Sequence, residues 1–390
     1  MVVTERRHLF AFSWLSASYF AHIGFFNPYL PLWLKEFGFS LIAIAVLTSV
    51  QSATRLFAPY VWGTWSDRTG ERVRLLRYGA TAALLLSLGL WVDGGAWWLF
   101  VVLLLMFSHT SGMMPMSEAA LAHLVSRNGS FDPRRYGRVR LWGSLGFLLT
   151  VVAAGFWFER FGLGGFPAWA LATLAAVALS TWLLPDLREA PHSDGAAQPR
   201  IWPVLRQPPV RWFFASMFFH VLAHIFIYIF LSLYLDSLGY TKTAIGLFWA
   251  ISVLIEIGWF YAQGRWLPLM SLPGWLVLAA ALMVLRMTLT ASLADVWPVL
   301  LFAQALHAIT FAAHHTACIA LITQHFPGRL RGRGQALYSV LGYGLPGVVG
   351  GLVGGVVSSA WGLASVFWLA AGCSVGAGLC ALRAWVLRPR

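Results

Sequence analysis

The sequence predicts an all-α polytopic membrane protein in which twelve transmembrane helices form two six-helix repeats. Of its 390 residues, 59% are hydrophobic and only 11% are charged, and the mean hydropathy is +0.72. A soluble fold has too little interior to hide that much apolar surface. The apolar residues also form runs of about 20 or more, the length that crosses roughly 30 Å of hydrocarbon at about 1.5 Å per residue.

Twelve apolar runs are predicted as spans. They lie roughly at 9–34, 40–65, 74–93, 97–124, 138–159, 165–184, 211–235, 242–266, 272–292, 297–326, 334–357 and 361–387, with ends uncertain by a few residues. One long polar, proline-rich segment without helical periodicity separates six spans from six. The predicted organisation is an N-terminal half (1–185), a cytoplasmic linker (186–210) and a C-terminal half (211–390).

The basic charge indicates topology. Lysine and arginine number 27 against 14 acidic residues, for a net charge of +13. Nearly all of the cations outside the spans fall in alternate turns, and only Lys35, Arg160 and Lys242 lie on the opposite side. This positive-inside bias places both termini and the linker in the cytoplasm of a bacterial-type inner membrane, and predicts no nucleic-acid partner. Arg6 and Arg7 before the first run resemble a signal peptide, but that run is too long for one.

The two halves repeat each other at an offset near 200. LKEFGFS (34–40) aligns with LDSLGYT (235–241), and LWGSLGF (141–147) aligns with LYSVLGY (337–343). Two parallel six-helix repeats are typical of secondary transporters, with the substrate between the halves near the midplane. We therefore expect a carrier that works by alternating access.

Few charges lie inside the predicted spans, and such charges are costly unless they have a partner or face water. Glu256 and Glu118 are the two carboxylates, and Arg55 is the repeat equivalent of Glu256. Arg286 lies toward the periplasmic end of span nine, from which its side chain could also snorkel. Proton symport is the hypothesis, because a buried carboxylate near cations couples protonation to substrate binding. Glu256 is the first candidate for the proton site and Glu118 the second, while a static salt bridge is the alternative for Glu256.

The turn after span two carries a specific spacing, because Gly63, Asp67, Arg68, Gly70 and Arg72 follow the pattern G-x-x-x-D-R/K-x-G-x-R/K. The glycines allow close approach and a tight turn, and Asp67 accepts hydrogen bonds from helix-start amides or an arginine. This turn resembles the loop between spans two and three of the major facilitator superfamily, and is predicted to be a cytoplasmic gating loop. A solvated turn that only sets topology is the alternative. The equivalent turn of the second half lacks the acidic residue.

Two further segments, NPYLPLWLKEFGFS (27–40) and YGRVRLWGSLGFLL (136–149), resemble the phenylpropionate permease-like branch of that superfamily. The branch is kin to nucleoside and oligosaccharide proton symporters. The resemblance implies the major facilitator fold and proton-coupled uptake of a small organic acid such as 3-phenylpropionate. Arg55 and the midplane histidines would then hold the anionic group. Uptake of a nucleoside or sugar with protons, and drug efflux, remain alternatives.

Histidines concentrate in spans one, four, seven and ten, the helices that line the central cavity of major facilitator folds. They are His22, His109, His123, His220, His224, His307, His314, His315 and His325. His22, His220, His224, His307, His314 and His315, with Arg55 and Arg286, are the candidates for the substrate cavity. His307 and His314, seven residues apart, are predicted to share a helical face with His315 beside them. His220 and His224 have metal-ligand spacing, but no carboxylate or cysteine of span seven accompanies them, so no metal or cofactor is predicted.

Other classes fit less well. The sequence has no phosphate-binding G-x-x-x-x-G-K-[ST] loop for an ATP-driven pump. An intramembrane enzyme would cluster its polar residues at one depth without a repeat, and a channel would show a ring of charges. The prediction is therefore a non-enzymatic monomeric carrier whose partners are a small molecule, protons and the lipid bilayer.

Overall fold

A computed structural model describes residues 2–125, 133–186, 200–327 and 330–388, and the secondary structure of these residues is helical without any strand. Among these described residues, twelve helices are long and apolar enough to cross a membrane, which confirms the predicted fold class and the number of spans. Numbered α1 to α12, they are Arg7–Glu36, Leu41–Thr69, Arg72–Trp91, Gly95–Leu121, Arg138–Phe161, Leu163–Trp182, Pro208–Ser237, Lys242–Leu269, Leu272–Leu293, Trp297–His325, Arg333–Trp361 and Leu363–Val386. In the predicted linker, residues 187–199 lie outside the described residues.

Several spans are interrupted, and prolines explain three of the interruptions. In α2 the regular helix stops at Arg55, four residues before Pro59, and α4 is broken just before Pro115. In α11 a π-helical turn, Val340–Gly344, precedes Pro346. A proline lacks an amide donor and its ring collides with the carbonyl four residues earlier, so the helix must open there.

The predicted repeat recurs in the turns. Ser40 before α2 and Thr241 before α8 each accept a hydrogen bond from the amide three residues later, at 3.2 and 3.1 Å. Gly162 between α5 and α6 has φ +77° and ψ 168°, and Gly362 between α11 and α12 has φ +84° and ψ 166°. That region of backbone space is almost restricted to glycine. Equivalent turns of the two halves are therefore built with the same chemistry.

The chain packs into two compact units, which differ from the predicted halves in one respect. Unit 1 is Met1–Phe39 with Ala53–Asp194, and unit 2 is Ser40–Ser52 with Gly195–Arg390. The boundary near 194 falls inside the predicted linker, but the first part of α2 groups with unit 2. The reason is close packing of Ala45 and Ser49 on Gly355 and Gly351 of α11, where a Cβ atom would collide.

Each unit has its own core. In unit 1, α1 packs along α5 and α6 through buried aromatic rings such as Phe25, Phe158 and Phe166. In unit 2, α7 is buried along most of its length and packs against α11 and α12. The polar side chains of α7 and α10 are therefore held inside unit 2 rather than at its lipid-facing surface.

Candidate functional site

A buried arginine organises the polar interior of unit 2. Arg286 of α9 is 1% exposed and donates hydrogen bonds to Gln304 Oε1 at 3.0 Å, Thr310 Oγ1 at 3.1 Å and His307 Nδ1 at 3.2 Å. All three acceptors belong to α10. The alternative that Arg286 snorkels to the membrane surface is therefore wrong, because its side chain is buried and both terminal nitrogens of its guanidinium bond to α10.

His307 connects this arginine to Glu256. A guanidinium only donates, so Nδ1 of His307 accepts from Arg286 and the ring proton lies on Nε2. Nε2 then donates to Glu256 Oε2 at 3.2 Å. The side chain of His307 is 8% exposed and that of Glu256 is 20% exposed, so the carboxylate is the more accessible end of the network. The result is a directed chain of hydrogen bonds from Arg286 through His307 to Glu256.

Helical spacing brings these groups together. Ser252 and Glu256 lie one turn apart on α8, and Ser252 Oγ donates to Gln304 Oε1 at 2.9 Å. Gln304, His307 and Thr310 follow each other at intervals of three along α10 and face α9. Sequence reasoning missed Gln304 and Thr310. Their spacing from His307 was the available signal, but uncharged polar residues are common in transporter helices.

Thr310 joins this network to a group of stacked imidazoles. His220 of α7, which is 1% exposed, donates from Nε2 to the Thr310 carbonyl at 2.6 Å. The His314 ring stacks on His220 with centroids 3.7 Å apart, and its other contact is Cys318 Sγ at 3.7 Å. His224 follows one turn after His220, with ring centroids 5.3 Å apart. Four of the predicted histidines, including His307, therefore meet within unit 2.

A π-helical segment, Ala308–Ala313, changes which residues of α10 share a face. The rings of His307 and Phe311 are parallel with centroids 4.9 Å apart, and His315 stacks on Phe311 at 5.9 Å. A π-helix turns less per residue, which brings His315 into line with His307 and Phe311. That His307 shares a face with His314 stays a prediction, since both rings contact α7, His314 at His220 and His307 at His224, 5.8 Å between ring centroids. His314 faces α7. No proline or glycine marks this wide turn, so the sequence carries no signal for it.

A small cavity lies against these rings. It is lined by His220, Val221, His224, Tyr228, Thr310, Phe311, His314, His315 and Tyr343. On one wall His315 Nδ1 lies 2.7 Å from the Tyr338 hydroxyl, which lies 3.2 Å from the hydroxyl of Tyr343 in the π-helical turn of α11. The lining is thus aromatic and imidazole-rich, and α7, α10 and α11 all contribute to it.

His22 lies in unit 1 and has a different environment. Its Nδ1 is 2.9 Å from Thr173 Oγ1, and its ring packs against Phe25 and Phe26. The side chain is 4% exposed. These contacts are those of a packed, hydrogen-bonded core histidine, although a role in the substrate cavity remains a prediction.

Glu118 also belongs to unit 1, where it forms an ion pair with Arg140 of α5 at 3.3 Å. The Arg140 guanidinium lies 4.6 Å from the centroid of the Phe20 ring. Burial and the charge of Glu118 raise the pKa of the nearby Tyr136 hydroxyl to about 12. Sequence reasoning assigned Arg140 to the cytoplasmic turn and missed this pairing. Arg55 stands at the break in α2, where the structure leaves it partly buried.

Residues of the predicted gating loop form hydrogen bonds with one another. Asp67 Oδ1 accepts from Arg72 Nη2 at 3.1 Å, and Arg72 Nε donates to Ser66 Oγ at 3.1 Å, while Arg68 is exposed. Gly70 has φ +68° and its amide donates to the Ser66 carbonyl, which ends the helix in a left-handed cap. The expectation that Gly63 allows a close approach is wrong, because a Cβ atom there meets no described atom within 4 Å.

Gly70→Ala is expected to destabilise the protein by about 1 kcal/mol, because an L side chain is strained at positive φ. Gly63→Ala is the matched control from the same loop, since Gly63 is helical and has open space around it, so alanine there is neutral or slightly stabilising. Thermal unfolding of the two purified variants checks this. Equal melting temperatures would show that the cap does not hold the turn.

Twelve spans in two repeats, with polar side chains gathered inside the bundle, define the class of polytopic membrane transporters. The model of the MFS_1 like family matches residues 12–369. The chain belongs to this family; it is a major facilitator superfamily transporter, a multi-pass inner-membrane protein and not an enzyme.

Individual relatives cover nearly the whole chain. It is 29% identical to the "Maltose permease" of Geobacillus stearothermophilus over 91% of this chain and 89% of that protein. It is 26% identical to the "Probable 3-phenylpropionic acid transporter" of Escherichia coli over 97% of both. A mutant of the nucleoside transporter NupG superposes with a TM-score of 0.84 at 16% identity, covering 98% of this chain and 100% of that one. This likeness confirms the predicted major facilitator fold.

Proposed function

We propose that this protein is a proton-coupled symporter that takes up a small organic acid, with 3-phenylpropionate as the representative substrate. The observation that carries the proposal is the buried chain Arg286–His307–Glu256, in which the partly exposed carboxylate is linked to a fully buried cation. Glu256 is assigned as the proton-binding group. Alternating access, with both termini cytoplasmic, is part of the same proposal.

The coupling follows from charge balance. While Glu256 is ionised, it compensates the buried charge of Arg286 through the neutral imidazole of His307. Once Glu256 binds a proton, that compensation is lost and the site carries an excess positive charge in a medium of low dielectric constant. An anionic substrate restores the balance, so binding of the proton favours binding of the carboxylate. Release of either one weakens the binding of the other.

Two observations of different kinds support an organic acid as the substrate. The printed name of the Escherichia coli relative is that of a 3-phenylpropionic acid transporter, and the two chains align along nearly their full lengths. The lining of the cavity contains the aromatic rings of Tyr228, Phe311 and Tyr343, which suit an aromatic substrate. In unit 1, Glu118, paired with Arg140, is proposed as a second proton site, and the Asp67 loop is proposed as the cytoplasmic gate. Arg55 is proposed to hold the anionic group of the substrate.

Sugar uptake with protons is the second candidate. It is supported by the printed name of the Geobacillus relative and by the imidazole nitrogens of the cavity, which suit hydroxyl groups. A nucleoside is the third, since the superposed NupG structure carries that name. Drug efflux is not favoured by any contact described above.

Purified protein in liposomes tests the proposal. A pH gradient, acid outside, is expected to drive accumulation of 3-phenylpropionate that stops when a protonophore collapses the gradient. Because one pH unit supplies about 1.4 kcal/mol per proton, a one-proton symporter reaches about tenfold accumulation. Protein-free liposomes, run in parallel, measure passive entry of the protonated acid.

If maltose or a nucleoside accumulates under the same gradient instead, the proposed substrate is wrong while proton coupling is supported. Equal uptake with and without the gradient, above the protein-free control, would contradict proton coupling itself.

A further inference from the structure

One buried nitrogen of the cavity lacks a hydrogen-bond partner. Nδ1 of His220 lies in a side chain that is 1% exposed, and none of the described residues is within hydrogen-bond distance of it. Leaving a buried polar atom unpaired costs about 1–3 kcal/mol, so such atoms in a site usually await a ligand. His220 also lines the cavity. The residue that carries the unpaired nitrogen is therefore also a residue of the cavity wall.

The position of the ring proton is determined by the other nitrogen. Nε2 lies 2.6 Å from the Thr310 carbonyl oxygen, which only accepts, so Nε2 carries the proton. A charged imidazole is unfavourable here, because His220 is buried, no carboxylate of the described residues contacts it, and the His314 ring stacks on it at 3.7 Å. The ring is neutral, and its Nδ1 carries a lone pair that none of the described residues uses.

A lone pair selects the chemistry of its partner, because it binds a hydrogen-bond donor and repels a carboxylate. His224, one turn further along α7, adds Nε2 as a second nitrogen without a partner among the described residues, in a side chain that is 3% exposed. The lining of the cavity thus combines these two nitrogens with the apolar rings of Phe311 and Tyr343.

We infer that this cavity recognises a hydroxyl group of the substrate, with His220 Nδ1 as its acceptor and His220 as a specificity-determining residue. The hydroxyl could come from a phenolic ring or from a sugar, and both present the same donor. The inference rests on the proposed function in taking the transported molecule as the ligand. It adds that the carboxylate and the hydroxyl are bound at different places, the hydroxyl at the imidazole cavity.

Equilibrium binding to purified protein in detergent tests the inference without any gradient. The probes are 3-phenylpropionate, 3-(4-hydroxyphenyl)propionate and maltose. The hydroxylated acid is expected to bind about tenfold more tightly than the plain acid, the typical value of one buried hydrogen bond. In His220→Phe, which keeps a ring against His314, that ratio should fall to about one. If maltose is the ligand, its binding should be lost in the same variant.

His109→Phe is the matched control, since His109 belongs to unit 1, where it bonds to the Leu105 carbonyl and contacts Trp62 and Tyr78. His220→Gln retains a donor for Thr310 and an acceptor for the ligand, so it should keep the preference for the hydroxylated acid, even if His220→Phe folds poorly. Equal binding of both acids to wild type, with no maltose binding, overturns the inference, as does a preference that His220→Phe leaves intact. Neither result tests the role of Glu256 in proton coupling, because the binding assay has no pH gradient.

Discussion

Glu256→Gln is expected to abolish gradient-driven accumulation while leaving exchange of substrate across the membrane intact. Glutamine has the shape of a protonated glutamate and cannot release a proton, so the variant stays in the state that favours an anionic substrate. The initial rate of uptake under a one-unit pH gradient, above that of protein-free liposomes, should fall to the rate measured without a gradient. The rate is the readout, because passive entry of the protonated acid alone reaches about a tenfold ratio at equilibrium. Counterflow, in which unlabelled substrate inside exchanges for labelled substrate outside, should continue because it needs no net proton movement.

Glu36→Gln is the matched control for this change, because Glu36 is an exposed carboxylate at the end of α1. It should accumulate substrate as wild type does. Should Glu256→Gln still accumulate substrate against the gradient while it remains folded, the assignment of the proton site is wrong.

The same variant distinguishes a role of Glu256 in proton coupling from a role as a purely structural salt bridge. If Glu256 only held α8 to α10, its loss would lower the melting temperature and leave coupling unchanged. Replacing one partner of a buried charge network leaves the other uncompensated, at a cost of about 3–5 kcal/mol for complete burial and less here, since Glu256 is 20% exposed. A modest loss of stability together with a complete loss of coupling is the pattern we expect.

Hydropathy and the internal repeat predicted twelve spans in two halves, and the resemblance of the turn after span two implied the major facilitator fold. Long apolar runs can only cross the bilayer as helices, because backbone groups have no other partners there, so twelve runs meant twelve spans. The repeat was visible because LKEFGFS (34–40) aligns with LDSLGYT (235–241), and the structure shows that the last residues of these segments, Ser40 and Thr241, cap equivalent helix starts. Such local signals survive in a single sequence.

The candidate site was only half predictable. The sequence singled out Glu256, Arg286 and most of the histidines because ionisable groups are rare in hydrocarbon, but it could not say which of them touch. The register of α10 depends on a π-helical turn without a proline, beside the carbonyl of Thr310 that accepts from His220. Residues 90 positions apart leave no local trace of their contact, so the bond of His220 to the Thr310 carbonyl was missed, as was the stacking of His314 on His220.

Gly146→Ala is expected to destabilise unit 1 more than any other single-methyl addition discussed here, by about 3 kcal/mol. A Cβ atom at Gly146 of α5 would collide with the carbonyl of Ala17 in α1, and a Cβ atom at Gly24 of α1 would lie 2.8 Å from the α-carbon of Phe147. These obstacles are backbone atoms, which cannot rotate away, so the two helices must separate. Thermal unfolding of the purified variants measures the effect, and Gly24→Ala should resemble Gly146→Ala.

Gly258→Ala provides the comparison, since Gly258 lies in the middle of α8 and a Cβ atom there meets nothing within 4 Å. Alanine at that position should be neutral or stabilise the helix by up to about 1 kcal/mol. Gly146 belongs to the segment 136–149 that resembles the phenylpropionate permease-like branch, so a large effect would mean that this glycine preserves helix packing rather than substrate contact. A wild-type melting temperature for Gly146→Ala would instead show that α1 and α5 lie further apart than described.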